Sequence, residues 1–227
     1  MPSQLPYQDK PSRWSSHSLI AARLHSIPAK SKVLDVGTAS GMLARMSEDH
    51  SHRLFGVEPN PEWAQIASPL YENIWVGYIN DMDDESLKDY DAVVSADILE
   101  HLSAPETTLQ KLVSLEGSNC TFLISMPNIA NLWVRINLLF GRFDYTDLGI
   151  LDRTHLRFFT RKTQIAMVNK AGLGIASIQV TSIPLELISS YFVSSPGKII
   201  HSIFAKLTFL FPTLLGYQFI VEARKPV

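Results

Sequence analysis

Short apolar runs alternate with stretches of helical spacing along most of the chain, the pattern of a largely parallel sheet with helices packed on it. The first run, Lys32 to Val36, is followed by Gly37 to Gly41 and a helix through about Asp49. The second, Arg53 to Val57, leads through Pro59-Asn60-Pro61 into a helix over about Glu62 to Leu70. A third strand is predicted at Ile74 to Tyr78, a fourth at Tyr90 to Ser95 with a helix at Pro105 to Leu115 behind it, and a fifth at Cys120 to Ser125. Met126 to Thr160 is then a long connection holding a short helix, Ile129 to Phe140, that reads as core or lid. A helix at Arg161 to Ala171 stops at Gly172, and strands follow at Ile175 to Thr181 and Tyr217 to Ala223. Ile183 to Leu215, between those strands, is too long for a hairpin turn and reads as a helical insertion. The expected organisation is one domain over 1–227: an N-terminal segment 1–31, a core 32–182, the insertion 183–215, and the last strand and tail 216–227.

Composition removes several alternatives. The net charge of −2 gives no basic footprint for a nucleic-acid backbone. A lone Cys120 excludes an intramolecular disulfide and any multi-cysteine zinc cluster, and reads as a small buried strand residue. The first residues, MPSQLPYQDKPSRWSSHS, carry Pro, Ser and charges where a secretory signal needs an apolar run. The best candidate for a membrane span, Leu207 to Val221, is short and broken by Pro212 and Gly216. A cytoplasmic location is therefore expected.

The strongest constellation is VLDVGTASG, Val33 to Gly41, where a strand ends near an acid and a two-glycine turn opens a helix. Such a turn lets backbone approach a ligand closely at the carboxyl edge of a sheet. Met42 stands where a dinucleotide fingerprint has its third glycine, which argues against NAD. In FGVEPN, Phe55 to Asn60, Glu58 ends the second strand, the neighbour of the first in a doubly wound sheet. A carboxylate there can accept hydrogen bonds from both ribose hydroxyls of a nucleoside. Alone, Glu58 reads as a solvated strand-end acid; one βα unit after the glycine turn, it reads as a ligand contact.

VLDVGTASG, FGVEPN, DYDAVVSADILEHL (Asp89 to Leu102), SMPN (Ser125 to Asn128) and GILDRTHLRFFT (Gly149 to Thr160) together resemble the S-adenosylmethionine-dependent class I methyltransferases. The likeness is to a bacterial subgroup acting on small molecules and surface glycans, and it runs in order over about Val33 to Ile178. It implies an α/β, Rossmann-like sheet of seven mostly parallel strands, order 3-2-1-4-5-7-6, with the last strand antiparallel and helices on both faces. It also implies S-adenosylmethionine as cofactor, bound by Asp35, Gly37, Thr38, Gly41, Glu58, Pro59, Tyr78, Asp81 and Asp97, with Asp97 near the methionine end. Two positions depart from the family pattern. Ala39 replaces a common third glycine and narrows the space beside the cofactor. Tyr78 replaces the acid that usually meets the adenine amino group, so Tyr78 would stack or hydrogen-bond there, or Asp81 would take over.

Methyl transfer from a sulfonium is an in-line displacement, helped mainly by positioning and by exclusion of water. A hydroxyl acceptor also needs a base, and His101 just past the fourth strand is the first candidate. His155, in the run Asp152-Arg153-Thr154-His155-Leu156-Arg157, is the second; the plainer reading of His101 is a helix-cap or packing histidine. Asp97, Glu100 and His101 form a D-x-x-E-H set, similar to the E-x-x-E-H set that holds a divalent metal in some quinone-biosynthesis methyltransferases. The preferred reading is a polar loop without metal. Arg153 and Arg157 either grip an anionic substrate or pair with Asp152. The expected activity is O-methylation of a small molecule or glycan. N- or C-methylation is one alternative, and a non-catalytic scaffold of the same fold, for which Ala39 and Tyr78 speak, is another. A nucleic-acid acceptor is disfavoured by charge and by the lack of an Asn-Pro-Pro-Tyr-type motif after the fourth strand.

In the insertion, Ile200, Ile203, Phe204, Leu207, Phe211 and Leu214 recur at helical spacing, with Lys198, His201, Ser202 and Lys206 on the other side. An apolar stripe left in water costs about 25 cal/mol per Å². Three covers are expected, in this order: the domain itself, a second subunit in a homodimer, or a membrane surface contacted peripherally, with the lysines toward anionic headgroups.

Overall fold

In the computed structural model, which describes residues 14–47, 52–185 and 189–226, seven strands form one sheet in the order β3-β2-β1-β4-β5-β7-β6. They are β1 (Lys32–Val36), β2 (Arg53–Glu58), β3 (Asn73–Val76), β4 (Ala92–Ala96), β5 (Thr121–Pro127), β6 (Gly174–Val180) and β7 (Gln218–Arg224). Only β7 runs against its neighbours, pairing antiparallel with both β5 and β6. The sheet order and the antiparallel last strand are those the resemblance implies.

Alternate residues of the central strands feed two cores, as the two-residue period of a pleated strand requires. Leu34, Val36, Val93, Phe122 and Ile124 meet α4 (Pro105–Leu115) and α6 (Arg161–Lys170) on one face. Val33, Ala92, Val94 and Leu123 meet α1 (Ser16–Leu24), α2 (Met42–Met46) and α3 (Pro61–Ala67) on the other. α1 was not anticipated from the sequence: Ser15 caps it by accepting from Ser18 N, Ile20, Ala21 and Leu24 bury its inner side, and Arg23 pairs with Glu222 of β7. The helix expected to reach Asp49 is α2; residues 48–51 lie outside the described residues, as do 1–13 of the N-terminal segment and 186–188 of the insertion.

The long connection contains α5 (Leu132–Leu139), and a third apolar cluster of Val134, Ile150 and Leu151, backed by Phe158 and Tyr217, fixes the loop behind it. The insertion forms a short 3-10 turn (Ser190–Val193), α7 (Ser195–Leu210) and α8 (Pro212–Leu215). The leading expectation for its apolar stripe is corrected here. Ile200, Ile203, Leu207 and Phe211 are exposed, and the fold does not cover them. The inward face of α7 holds His201, Ala205 and Thr208 instead. Of the expected polar side only His201 turns inward, Lys198 and Lys206 facing solvent as expected, and Phe204 and Leu214 of the stripe are half-buried.

Two asparagines, Asn128 and Asn131, tie the head of α5 to α8 and the residue after it, Asn128 Nδ2 donating to Thr213 O at 3.2 Å and to Gly216 O at 3.0 Å. Asn131 caps α5 by accepting from Trp133 N at 3.0 Å, and its Nδ2 donates to Leu215 O at 3.3 Å and Gly216 O at 2.9 Å. Asn60 caps α3 alone, accepting from Glu62 N and Trp63 N. Asn131→Ala should therefore cost about 2 kcal/mol, against about 1 kcal/mol for Asn60→Ala, because it also removes the side-chain donor to Leu215 O, while Gly216 O keeps the Asn128 amide. Urea unfolding of the two variants checks this; equal losses would contradict the bridging role.

Candidate active site

Four parallel strands deliver their following loops to one edge of the sheet, and the candidate residues collect there. After β1 the chain turns through Gly37 (φ +81), Ala39 (φ +46) and Gly41 (φ +88) before entering α2. A side chain at Gly37 would overlap that of Ile98, so the first turn residue is glycine for two reasons, its backbone angle and the close approach. Ala39 takes the left-handed conformation despite its methyl group.

This turn is stitched to the end of β2. Gly37 N and Thr38 N both donate to Val57 O, at 2.8 and 3.2 Å. Ala39 N donates to Glu58 Oε2 at 2.8 Å, and Asn60 N to Glu58 Oε1 at 2.9 Å. Glu58 is only 3% exposed, and burial raises its pKa, opposed by the Asn60 and Ala39 amides. Two of the roughly four acceptor positions of a carboxylate are thus filled, which leaves capacity for the hydroxyls of a diol. Gly77 N donates to Glu58 O at 3.1 Å, bringing the loop after β3 to the same place, with Tyr78 64% exposed and Asp81 exposed in it. Pro59 is exposed beside them, whereas Thr38 is buried over Gly56.

Asp35 sits deeper, in register between Gly56 and Val94 and 2% exposed. Its Oδ2 accepts from the Tyr71 hydroxyl at 2.6 Å. Burial pushes its carboxyl up to about 7, the Tyr71 bond opposes the shift, and the charge of Glu58 adds to it. It supports the turn from within the sheet.

Past β4, Asp97 adopts a left-handed φ of +58. Its Oδ1 accepts from Ser125 Oγ at 2.6 Å and its Oδ2 from Ser16 Oγ at 3.0 Å, which ties α1, β4 and β5 together. The 3-10 turn Leu99–His101 follows. Glu100 O accepts from Leu156 N and Arg157 N, at 2.8 and 3.0 Å, and so docks the loop carrying His155 against His101. The two base candidates become neighbours, their ring centroids 4.7 Å apart and their planes at 73°. Thr154 Oγ1 donates to Asp152 Oδ1 at 2.6 Å, so it accepts from His101 Nδ1 at 3.1 Å; His155 Nδ1 donates to Ile150 O at 3.1 Å. Both rings, when neutral, therefore carry their lone pair on Nε2. Burial, then the neighbouring His101, lowers the pKa of His155 below the ordinary 6.5.

One donor atom each from Glu100, His101 and His155 lies within 4.8 Å of the others, a set that could hold a divalent ion. It differs from the D-x-x-E-H set in having His155 where that set has Asp97. Arg153 makes an exposed pair with Asp147 at 2.8 Å, and Arg157 donates to Ser103 O, so neither pairs with Asp152 among these contacts. Sequence reasoning missed Ser16, Tyr71 and Tyr217. The Tyr217 hydroxyl lies close to Gly149, and its pKa is pushed up to about 12 by burial and then by the charges of Asp97 and Asp152. The antiparallel sense of β7 was the available signal, since it starts the strand at the edge where the others end.

Asp35 binds its proton more tightly folded than its ordinary 3.8, so its share of stability falls as pH rises from about 4 to about 7. Asp35→Asn should remove that decline. Unfolding titrations at both ends of this range should show the stability difference moving in the variant's favour as pH rises; a pH-independent difference would count against the buried neutral acid.

A family model described as a methyltransferase domain matches residues 9–178. Among solved structures, a SAM-dependent methyltransferase from Archaeoglobus fulgidus aligns at a TM-score of 0.59 and 22% identity, covering 92% of this chain and 94% of that one. Magnesium protoporphyrin IX methyltransferase from Synechocystis PCC 6803, with bound SAH, aligns at 0.62 and 14%, covering 93% and 82%. The 1,6-didemethyltoxoflavin-N1-methyltransferase of Burkholderia thailandensis aligns at 0.61 and 18%, covering 94% and 80%. No curated protein matches the chain.

Proposed function

The chain belongs to this methyltransferase family, and from that membership we propose that it transfers the methyl group of S-adenosylmethionine to a hydroxyl oxygen of a small molecule or glycan. The observation that carries this reading is the meeting, at one sheet edge, of a glycine turn clamped to Glu58 with a pair of histidines whose Nε2 atoms are the basic ones. Gly37 lies directly against Ile98, three residues before His101, so the two halves of the edge adjoin.

In the proposed arrangement the Glu58 carboxylate accepts the two ribose hydroxyls, and the backbone of Gly37 to Gly41 borders the rest of the cofactor. The acceptor hydroxyl attacks the methyl carbon as the carbon–sulfur bond breaks, and S-adenosylhomocysteine departs. The hydroxyl proton passes to His101 Nε2. His155 is the more buried ring, and its lowered pKa keeps it neutral, so it does not repel the charge that His101 acquires. Tyr217, held protonated, can donate a hydrogen bond on the acceptor side.

Glu58→Ala should weaken S-adenosylhomocysteine binding by about 1–3 kcal/mol, through loss of charge-assisted hydrogen bonds. Calorimetry giving an unchanged affinity would refute the ribose contact. His101→Ala should lower turnover roughly 10²–10⁴-fold in a chemistry-limited assay while leaving that affinity intact. Full turnover in this variant would remove His101 from the proton path.

A further inference from the structure

α7 is amphipathic in the reverse of the usual sense. Gly197, His201, Ala205 and Thr208, spaced three or four apart, are buried. Ile199, Ile200, Ile203, Leu207 and Leu210 are between 42% and 71% exposed. Small residues inward allow a close seat, since a side chain at Gly197 would overlap the backbone of Tyr191 and Phe192. Thr208 Oγ1 donates to Phe204 O at 3.0 Å inside the helix, so its burial leaves no unmet donor. Large apolar residues outward with small and polar ones inward suit a helix whose outer face meets hydrocarbon rather than water.

The apolar surface continues beyond α7. Asn131 bonds the head of α5 to α8, which directly follows α7, and the far end of α5 exposes Leu138, Leu139 and Phe140. Charge along both segments has one sign. The chain holds 22 Asp and Glu against 20 Lys and Arg, yet no acid occurs from Leu187 to Val221 or from Asn128 to Phe143. The exposed cations there are Lys198, Lys206, Arg135 and Arg142. Exposed apolar area of this extent marks an interaction site. A symmetric pairing of two copies through this face would bring Lys198 and Lys206 of both together with no acid opposite them.

We propose that α7, with the adjoining end of α5, docks onto the surface of an anionic lipid bilayer and lies in its interfacial plane. No helix among the described residues is long and apolar enough to cross a membrane, so the contact is one of surface insertion. The cations flank the inserted side chains and face anionic headgroups. The assignment does not depend on the identity of the methyl acceptor.

The test is flotation of the full chain with vesicles of phosphatidylcholine alone and of phosphatidylcholine with phosphatidylglycerol. The chain should float with the mixed vesicles, release as salt is raised, and bind the neutral vesicles much less. Lys198→Glu with Lys206→Glu should lower binding about tenfold or more. Ile203→Asp with Leu210→Asp should abolish it, and because both positions are exposed the circular dichroism spectrum should stay unchanged. Failure to float with the mixed vesicles, or equal binding by wild type and both double variants, would overturn the proposal. A stable dimer in light scattering that ignores vesicles would assign this face to a second copy and overturn it equally.

Discussion

The side chain of Glu58 accepts hydrogen bonds from two different loops, Ala39 N after β1 and Asn60 N at the start of α3, and the geometry of the sheet edge depends on that double contact. The loop after β3 hangs from the same residue through Gly77 N and Glu58 O. Val57 O, one position earlier, takes two more amides of the glycine turn. Three loops are thus registered on the last two residues of one strand. Burial of the carboxylate works against its charge, and the amides that register the loops are also what offsets that cost. Replacing Glu58 would therefore loosen the turn as well as remove the proposed ribose contact, and the two effects are separable only by comparing binding with stability.

The other half of the edge is held by the same economy of means. Asp97 joins three elements through Ser16 and Ser125, and Glu100 carries the loop of His155 on its backbone carbonyl. Neither histidine is oriented by a carboxylate directly: Ile150 O sets one tautomer, and Thr154, itself held by Asp152, sets the other. Second-layer bonds of this kind fix which ring nitrogen is basic, and with it the direction from which a proton can be taken.

Much of this was legible in the residues. The glycine turn and Glu58 could be read because their signals are local: a positive-φ requirement at Gly37 and Gly41, and an acid at a strand end one unit on. The helix Pro105–Leu115 was bounded correctly by Pro105 and by the loss of spacing after Leu115. Strand order came with the family resemblance, because periodicity alone does not set it. α1 was overlooked although Ser15 and the pair Ile20 and Leu24 are the signature of a capped amphipathic helix. In α7 spacing reveals that an apolar stripe exists but not what covers it, and Ile200, Ile203 and Leu207 lie exposed although Lys198 and Lys206 are on the solvent side as read. The pairing of His101 with His155 was not readable at all, since it arises from a loop docking on Glu100 O through backbone atoms, which leave no mark on side-chain identity.

The proposed chemistry requires one geometry, a nucleoside seated on Glu58 with its sulfur turned toward the paired imidazoles. A crystal structure of the chain with S-adenosylhomocysteine measures this directly. Both ribose hydroxyls should lie at hydrogen-bond distance, about 2.6–3.2 Å, from the Glu58 carboxylate, with the sulfur facing His101 and His155. A ribose held by other residues, or a sulfur directed away from the two histidines, would contradict it.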